Sequence, residues 1–250
     1  LNFLGAIEKC TGDVIFIADQ DDRWKSQKVE KMLSCLNENP DVSVLSCRYD
    51  VIDGEGKIIE NSGIPYLGSV FDGSVEYLSV DSFIGCSYIR GFAMCFKKEL
   101  KGFLKPIDLK SMLSHDWYIC LLGALKGKTA VLNLKLTDYR YHFDNVSLSD
   151  MTRKTFLGDR QKRLKGLSES IEGHTYLKEF CTDIKDKKNF EKLIKLETKR
   201  LKFLNNKNFF LWLSLIAYIN VYKRYYKSLK GAYRVWIGDF CYAYNINFKK

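Results

Sequence analysis

The hydrophobic pattern divides the chain into two textures. Up to about residue 150, short apolar runs alternate with stretches of helical period. Leu1, Phe3, Leu4 and Ile7 share one helical face, which Thr11-Gly12 ends. Val14, Ile15, Phe16 and Ile17 run unbroken into Ala18, the pattern of a strand over Asp13–Ala18 buried on both faces. Val29, Met32, Leu33 and Leu36 then predict a helix over Ser26–Asn37 with Ser26 as N-cap, broken by Pro40-Asp41. Val42–Cys47 is a second short buried strand, so strand, helix and strand predict a βαβ unit and a parallel sheet.

Farther on, Tyr49–Ile59 reads as a hairpin around Asp53-Gly54-Glu55-Gly56, and Gly91–Phe96 as a strand. Ser114 is placed to cap an apolar helix, Trp117–Leu125, that ends at Gly127 before a strand at Thr129–Leu136. After Asp150, Ser, Lys and Glu dominate and the period is helical, predicting helices over Phe156–Ser168 and Tyr176–Leu204. The run Phe209–Tyr222 follows, flanked by Lys223-Arg224-Tyr225-Tyr226-Lys227. Its length of about 21 Å falls short of a hydrocarbon core about 30 Å thick. Apolar aromatics beside Lys and Arg suit a helix lying on a membrane surface. The expected domains are 1–150 and a helical, basic region at 151–250.

Charge sharpens that division. Residues 151–250 hold 23 Lys and Arg against 9 Asp and Glu, whereas residues 1–150 hold 17 against 21. Basic segments of this kind meet nucleic acid, anionic lipid or another protein. The continuous apolar run favours lipid, and no nucleic-acid partner is expected. The eight cysteines form no C-x-x-C pair, which argues against a zinc site or disulfide framework and for a reducing cytosol. His174, with no partner nearby in sequence, reads as a surface residue.

The candidate chemistry sits just after the first strand. Asp19, Asp21 and Asp22 place three carboxylates within four residues at its carboxyl end, where open α/β sheets bind ligands. Hard divalent cations take oxygen ligands, so the pattern suits Mg2+ or Mn2+ shared with a phosphate-bearing ligand.

Three stretches share a resemblance: IADQDDRWKSQKVEKM, GFAMCFKKEL from Gly91, and SHDWYICLLGALKGKTAVLNLKLTDYRYHFDNVS from Ser114. Together they resemble the family 2 glycosyltransferases, in particular the rhamnosyltransferase-like branch of bacterial surface-polysaccharide synthesis. Arg23 stands where that family usually has an apolar residue, and Ser26 where it usually has proline. The resemblance implies a partial GT-A fold, a Rossmann-like mixed α/β sheet with helices on both faces. It implies an inverting, metal-dependent enzyme that moves a sugar, with L-rhamnose from dTDP-rhamnose as the leading donor, from a nucleotide diphosphate to a lipid-linked glycan. By the same resemblance, Asp21 and Asp19 hold the metal, and Asp19, Asp21, Asp22, Arg140 and His142 face the donor diphosphate. Asp116 is the general base, while Trp24, Gly91, His115 and Trp117 border the sugar or acceptor.

The family's first strand and helices, which bind the nucleotide base, have no counterpart here, so a chain starting at Leu1 is expected to belong to a longer polypeptide. The expected location is the cytoplasmic face of the cell membrane, on an anionic surface. A different class of reading is an inactive fragment serving as a basic membrane- or nucleic-acid-binding module. An apolar strand followed by D-x-D also opens haloacid-dehalogenase-type phosphatases, but those want Thr or Val at position 23.

Overall fold

A computed structural model describes residues 3–60, 70–84, 89–104, 114–141, 160–226 and 228–246. The chain forms two compact units. The first is Leu1–Val80, Ser87–Pro106 and His115–Met151; the second is Asp81–Cys86, Ile107–Ser114 and Thr152–Lys250.

The first unit holds a mixed sheet of six strands: β1 (Val14–Phe16), β2 (Arg23–Trp24), β3 (Val42–Ile52), β4 (Val75–Leu78), β5 (Met94–Lys97) and β6 (Lys128–Arg140). Their order is β1-β5-β3-β6-β2, with β4 also on β6. The expected parallel βαβ unit is corrected here. β1 and β3 run the same way, but β5 lies between them, antiparallel to both. The glycine-led stretch makes a tight 3₁₀ turn at Gly91–Ala93 before β5, and that turn delivers the inserted strand.

The spine of the sheet is the parallel β3–β6 pair, from Val42↔Lys128 to Ile52↔Arg140. Two register shifts around Arg48 put extra residues on β6 and bend it there. The bend gives β6 two different edge partners. Before it, Thr129–Leu132 pairs with β4; after it, Thr137 and Asp138 pair with β2. β3 runs past the expected Cys47 to Ile52, and the turn at Asp53-Gly54-Glu55-Gly56 follows. In that turn the Asp53 carboxylate accepts from the N–H groups of Glu55 and Lys57. Gly56 has φ 89°, a conformation that costs glycine little.

Helices α1 (Phe3–Lys9), α2 (Lys28–Glu38) and α3 (His115–Lys126) complete this unit. Helix α2 starts two residues later than expected, with Gln27 rather than Ser26 at the N-cap and no side-chain cap. Its Met32, Cys35 and Leu36 pack with Leu45 and Cys47 of β3. Helix α3 meets the opposite face, at Val44, so helices cover both sides of the sheet. Seven consecutive residues of α3, Trp117–Gly123, are buried, as befits a helix apolar all round.

Gly123 lets α3 approach so closely. A Cβ there would overlap Val44 Cγ2 and lie 2.9 Å from Thr129 Oγ1. Val44 is fully buried and stiff at χ1, so it cannot step aside. Gly123→Ala is therefore expected to destabilise by about 1–3 kcal/mol through overpacking, although alanine is favoured over glycine by about 1 kcal/mol in an open helix. A lowered urea midpoint would show that the overlap wins; a raised one would refute the close contact.

The second unit is helical: α4 (Arg160–Lys178), α5 (Ile184–Asn206), α6 (Phe209–Ser214), α7 (Ile219–Tyr226) and α8 (Leu229–Tyr244). Asp183, Asn208 and Ser228 cap α5, α6 and α8 with their side chains. The expected break near residues 168–176 is absent, because α4 runs on to Lys178. Its continuation carries His174, which is fully buried rather than at the surface. Glu197 of α5 meets His174 Nδ1 at 3.0 Å and accepts from the Ser170 hydroxyl at 2.7 Å. The run Phe209–Tyr222 is not one helix: α6 gives way to a 3₁₀ turn at Leu215–Tyr218 before α7. Among the described residues, no helix is long and apolar enough to cross a membrane.

Candidate functional site

The site gathers around the carboxyl end of β1. Ile17 still bonds to the sheet, its N–H donating to the Met94 carbonyl at 3.1 Å. The chain then leaves as the loop Asp19-Gln20-Asp21-Asp22 and rejoins the sheet as β2. There Arg23 and Trp24 pair with Asp138 and Thr137, and the Arg23 Nε donates to Asp138 Oδ2 at 2.8 Å. Both ends of the acidic loop are thus anchored, one on β5 and one on β6.

Arg140, at the end of β6, fixes the loop between them. Its backbone N–H donates to Asp22 Oδ1 at 2.8 Å, and its Nε to the Asp21 carbonyl at 3.0 Å. Its Nη1 donates to the carbonyls of Asp53 and Gly54, at 3.0 and 2.8 Å. Four bonds tie the loop to the turn after β3, which makes Arg140 a positioning residue for the acidic loop. His142 lies outside the described residues.

Lys28 lies beside Trp24 at the far end of the loop and was not singled out from the sequence. It is fully buried, and its Nζ donates to the Phe92 carbonyl at 2.7 Å while lying 4.1 Å from the Trp24 ring centroid. Burial lowers its proton affinity, against the pull of Cys47, Cys95 and Asp22. The signal was present: Lys28, Met32 and Leu36 recur at i, i+4 and i+8 on the buried face of α2. Through Phe92, Lys28 joins the start of α2 to the Gly91 turn.

That turn meets the start of α3. The Gly91 N–H donates to Asp116 Oδ2 at 3.2 Å, and the Trp117 N–H to Asp116 Oδ1 at 2.8 Å. A Cβ on Gly91 would lie 2.9 Å from His115 Nε2, 3.5 Å from Ile17 Cγ2 and 3.7 Å from Asp116 Cβ. Glycine thus lets the turn come close to the His115 ring, while Ile17 and Asp116 sit at ordinary contact distance. The His115 ring stacks on Phe3 of α1 at 3.9 Å, and its Nε2 is buried with no hydrogen-bond partner among the described residues.

Electrostatics join the two halves. Burial pushes the Asp19 carboxyl up, Asp21 and Asp116 add to the rise, and His115 opposes it. Asp22 is raised to about 6, by burial first and by Asp21 and Asp19, against the Arg140 N–H and Lys28. His115 is held below its ordinary value by burial, against Asp116 and Asp19. The fold therefore concentrates carboxylates in a half-buried place, and Asp22 Oδ2 is left there without a hydrogen-bond partner among the described residues.

Of the aromatic candidates, Trp24 is half-buried beside Phe16, at 5.7 Å between centroids. Trp117 is 7% exposed and offers its ring to the core. Among the described residues, no three His, Cys, Asp or Glu side chains are grouped to hold a metal ion by themselves. The oxygen donors present nevertheless suit Mg2+ or Mn2+, which is commonly held by one or two carboxylates with substrate phosphates completing its shell.

Residues 2–100 match the family model for Glycosyl transferase family 2. The chain is 24% identical over 148 residues to an uncharacterized glycosyltransferase of Nostoc sp., covering 59% of this chain and 45% of that protein. It is also 24% identical over 179 residues to uncharacterized proteins of Mycobacterium bovis and Mycobacterium tuberculosis, covering 69% of this chain and 49% of each. The chain spans about half the length of the curated relatives it matches. These matches support a family 2 glycosyltransferase, carried by the segment from α1 through the acidic loop to the Gly91 turn.

Proposed function

We propose that the site transfers a sugar, with inversion, from a nucleotide diphosphate to a hydroxyl of a lipid-linked surface glycan. L-rhamnose from dTDP-rhamnose is the donor favoured by the motifs around Asp21 and Asp116. The observation that carries the reading is the meeting of the Asp116 carboxylate with the Gly91 turn, within electrostatic reach of Asp19. Asp116 thus stands apart from the acidic loop yet within electrostatic reach of it, the placement that a base opposite a leaving diphosphate needs.

Asp116 accepts the proton of the attacking hydroxyl as its oxygen bonds to the anomeric carbon. The bond from that carbon to the diphosphate oxygen breaks, and its electron pair leaves with the diphosphate. Asp19 and Asp21 would hold Mg2+ or Mn2+, which when bound neutralises charge growing on the leaving group. Arg140 and Lys28 keep the loop in place, and His115 borders the acceptor side. The chain works at the cytoplasmic face of the membrane, where a lipid-linked acceptor is presented.

Isothermal titration of dTDP and UDP into the purified chain, with and without Mn2+, tests the donor half of this reading. The expected result is Mn2+-dependent binding that Asp21→Ala abolishes, with the preferred nucleotide narrowing the sugar. Binding indifferent to both metal and substitution would overturn the role given to the acidic loop.

A further inference from the structure

In the second unit, α6 and α8 are joined by a reciprocal tryptophan pair. The Trp212 and Trp236 rings stack at 4.2 Å with 5° between their planes. Each indole N–H donates to the other residue's carbonyl, at 3.0 and 3.1 Å. Phe240 packs on Trp212 at 4.6 Å, and Tyr244 on Phe240 at the same distance. Large apolar side chains open to solvent along this seam. Phe209, Phe210 and Leu213 lie on one side of it, and Tyr233, Ile237 and Tyr244 on the other, with Phe210 79% exposed.

Trp212, Trp236 and Phe240 back onto the core of the unit, while the exposed members of the face point away from it. On α8, residues 229, 233, 236, 237, 240 and 244 fall on one stripe, while the buried Gly231, Ala232, Gly238 and Asp239 lie on another. Lys230 and Arg234 are exposed and border the aromatic stripe. Lys207 adjoins it too, its carbonyl accepting from the Tyr244 hydroxyl. Residues 207–250 contain eight Lys and Arg and a single acidic residue, Asp239. Asp239 is fully buried and bonded to Arg200. This stretch therefore shows solvent no side-chain carboxylate.

We infer that the α6–α8 face docks on an anionic phospholipid bilayer, its aromatic seam at headgroup level and Lys207, Lys230 and Arg234 against the phosphates. Tryptophan and tyrosine favour that interface, where one end of the ring is apolar and the other wet. A second copy of the chain would bring two cationic faces together, which like charge opposes. Nucleic acid would meet aliphatic Leu213 and Ile237 where stacking calls for rings. The helices are too short to span the bilayer, so the unit lies on it. This deepens the membrane-face part of the reading above and rests on it in no other respect, because the test involves no sugar and no donor.

The full chain is sedimented with vesicles of phosphatidylcholine, alone or mixed with phosphatidylglycerol, and with a single-stranded oligonucleotide as competitor. The expected result is binding to the mixed vesicles only, with a blue shift of tryptophan emission. A Lys230→Glu, Arg234→Glu double variant should bind about thirtyfold more weakly, each reversed charge costing at least the contribution of one basic residue. Phe210→Ser with Leu213→Ser should lose binding while keeping the wild-type circular dichroism, since both residues are exposed. Equal binding to neutral vesicles, no binding, displacement by the oligonucleotide, or a dimer that Phe210→Ser and Leu213→Ser dissolve without any vesicle binding would each overturn the inference.

Discussion

Asp116→Asn is expected to lower sugar transfer by about 10²–10⁴-fold, the range that a positioned general base contributes, and to leave nucleotide binding intact. The amide is isosteric, and its oxygen can still accept from the Gly91 N–H and hold the turn, at the cost of the acceptor that Oδ1 offers the Trp117 N–H. It cannot take the acceptor proton. The reverse split is expected of Asp21→Ala, which should lose the donor complex itself. Measuring kcat and the nucleotide Kd for both variants separates the two roles. Transfer that survives Asp116→Asn unchanged would remove Asp116 as the base and leave its carboxylate as a tether for the Gly91 turn.

The proposed separation of roles has a basis in how the sheet is built. The bend in β6 near Arg48 frees its second half to accept β2, and β2 is the far anchor of the acidic loop. Arg140 ends the same strand and holds the loop by both backbone and side chain. On the other side, β5 is inserted between β1 and β3 and is entered through the Gly91 turn, against which Asp116 rests. The carboxylates proposed to hold the metal and the one proposed as base thus hang from different elements. Each can be altered without pulling the other away.

What could be read from the sequence was whatever local pattern governs. The apolar run from Val14 forms a strand as far as Phe16, α2 follows the spacing of Met32 and Leu36, and Asp116 stands in the first turn of α3. What escaped was set by distant partners. The insertion of β5 needs a pairing about 80 residues away from β1, as in Val14↔Lys97. His174 is buried because Glu197 on the next helix offers it a carboxylate, and nothing beside it in sequence announces that. Arg140 was expected to face the donor diphosphate, whereas the contacts its Nε and Nη1 make are to carbonyls that only the fold brings within reach. The tryptophan seam joins residues 24 positions apart, which no local pattern announces, and the 3₁₀ turn at Leu215–Tyr218 interrupts the helix expected at Phe209–Tyr222.

Asp239→Ala should destabilise the second unit by about 3–5 kcal/mol, the cost of leaving buried charge uncompensated. The carboxylate is fully buried and accepts from Arg200 Nε at 2.7 Å, Arg200 Nη2 at 2.9 Å and the Tyr222 hydroxyl at 3.0 Å. Arg163 reaches it at 2.9 Å. Its removal strands the Arg200 guanidinium, only 3% exposed, in a core of Phe203, Leu204 and Leu215. The exposed Lys57–Glu55 pair, by contrast, should change stability little when broken. Acid gives a second readout. Burial pushes the Asp239 carboxyl up, but Arg200 and Arg163 outweigh it and hold the group below the usual carboxylate range. A group lowered on folding contributes stability that is full above its unfolded pKa and is lost as pH falls through its folded one. Urea unfolding followed from pH 7 into acid should therefore show the wild-type advantage over Asp239→Ala shrinking below about pH 4, near the ordinary aspartate value. An advantage that persists unchanged into strong acid would mean that packing, and not the ion pair, holds these helices together.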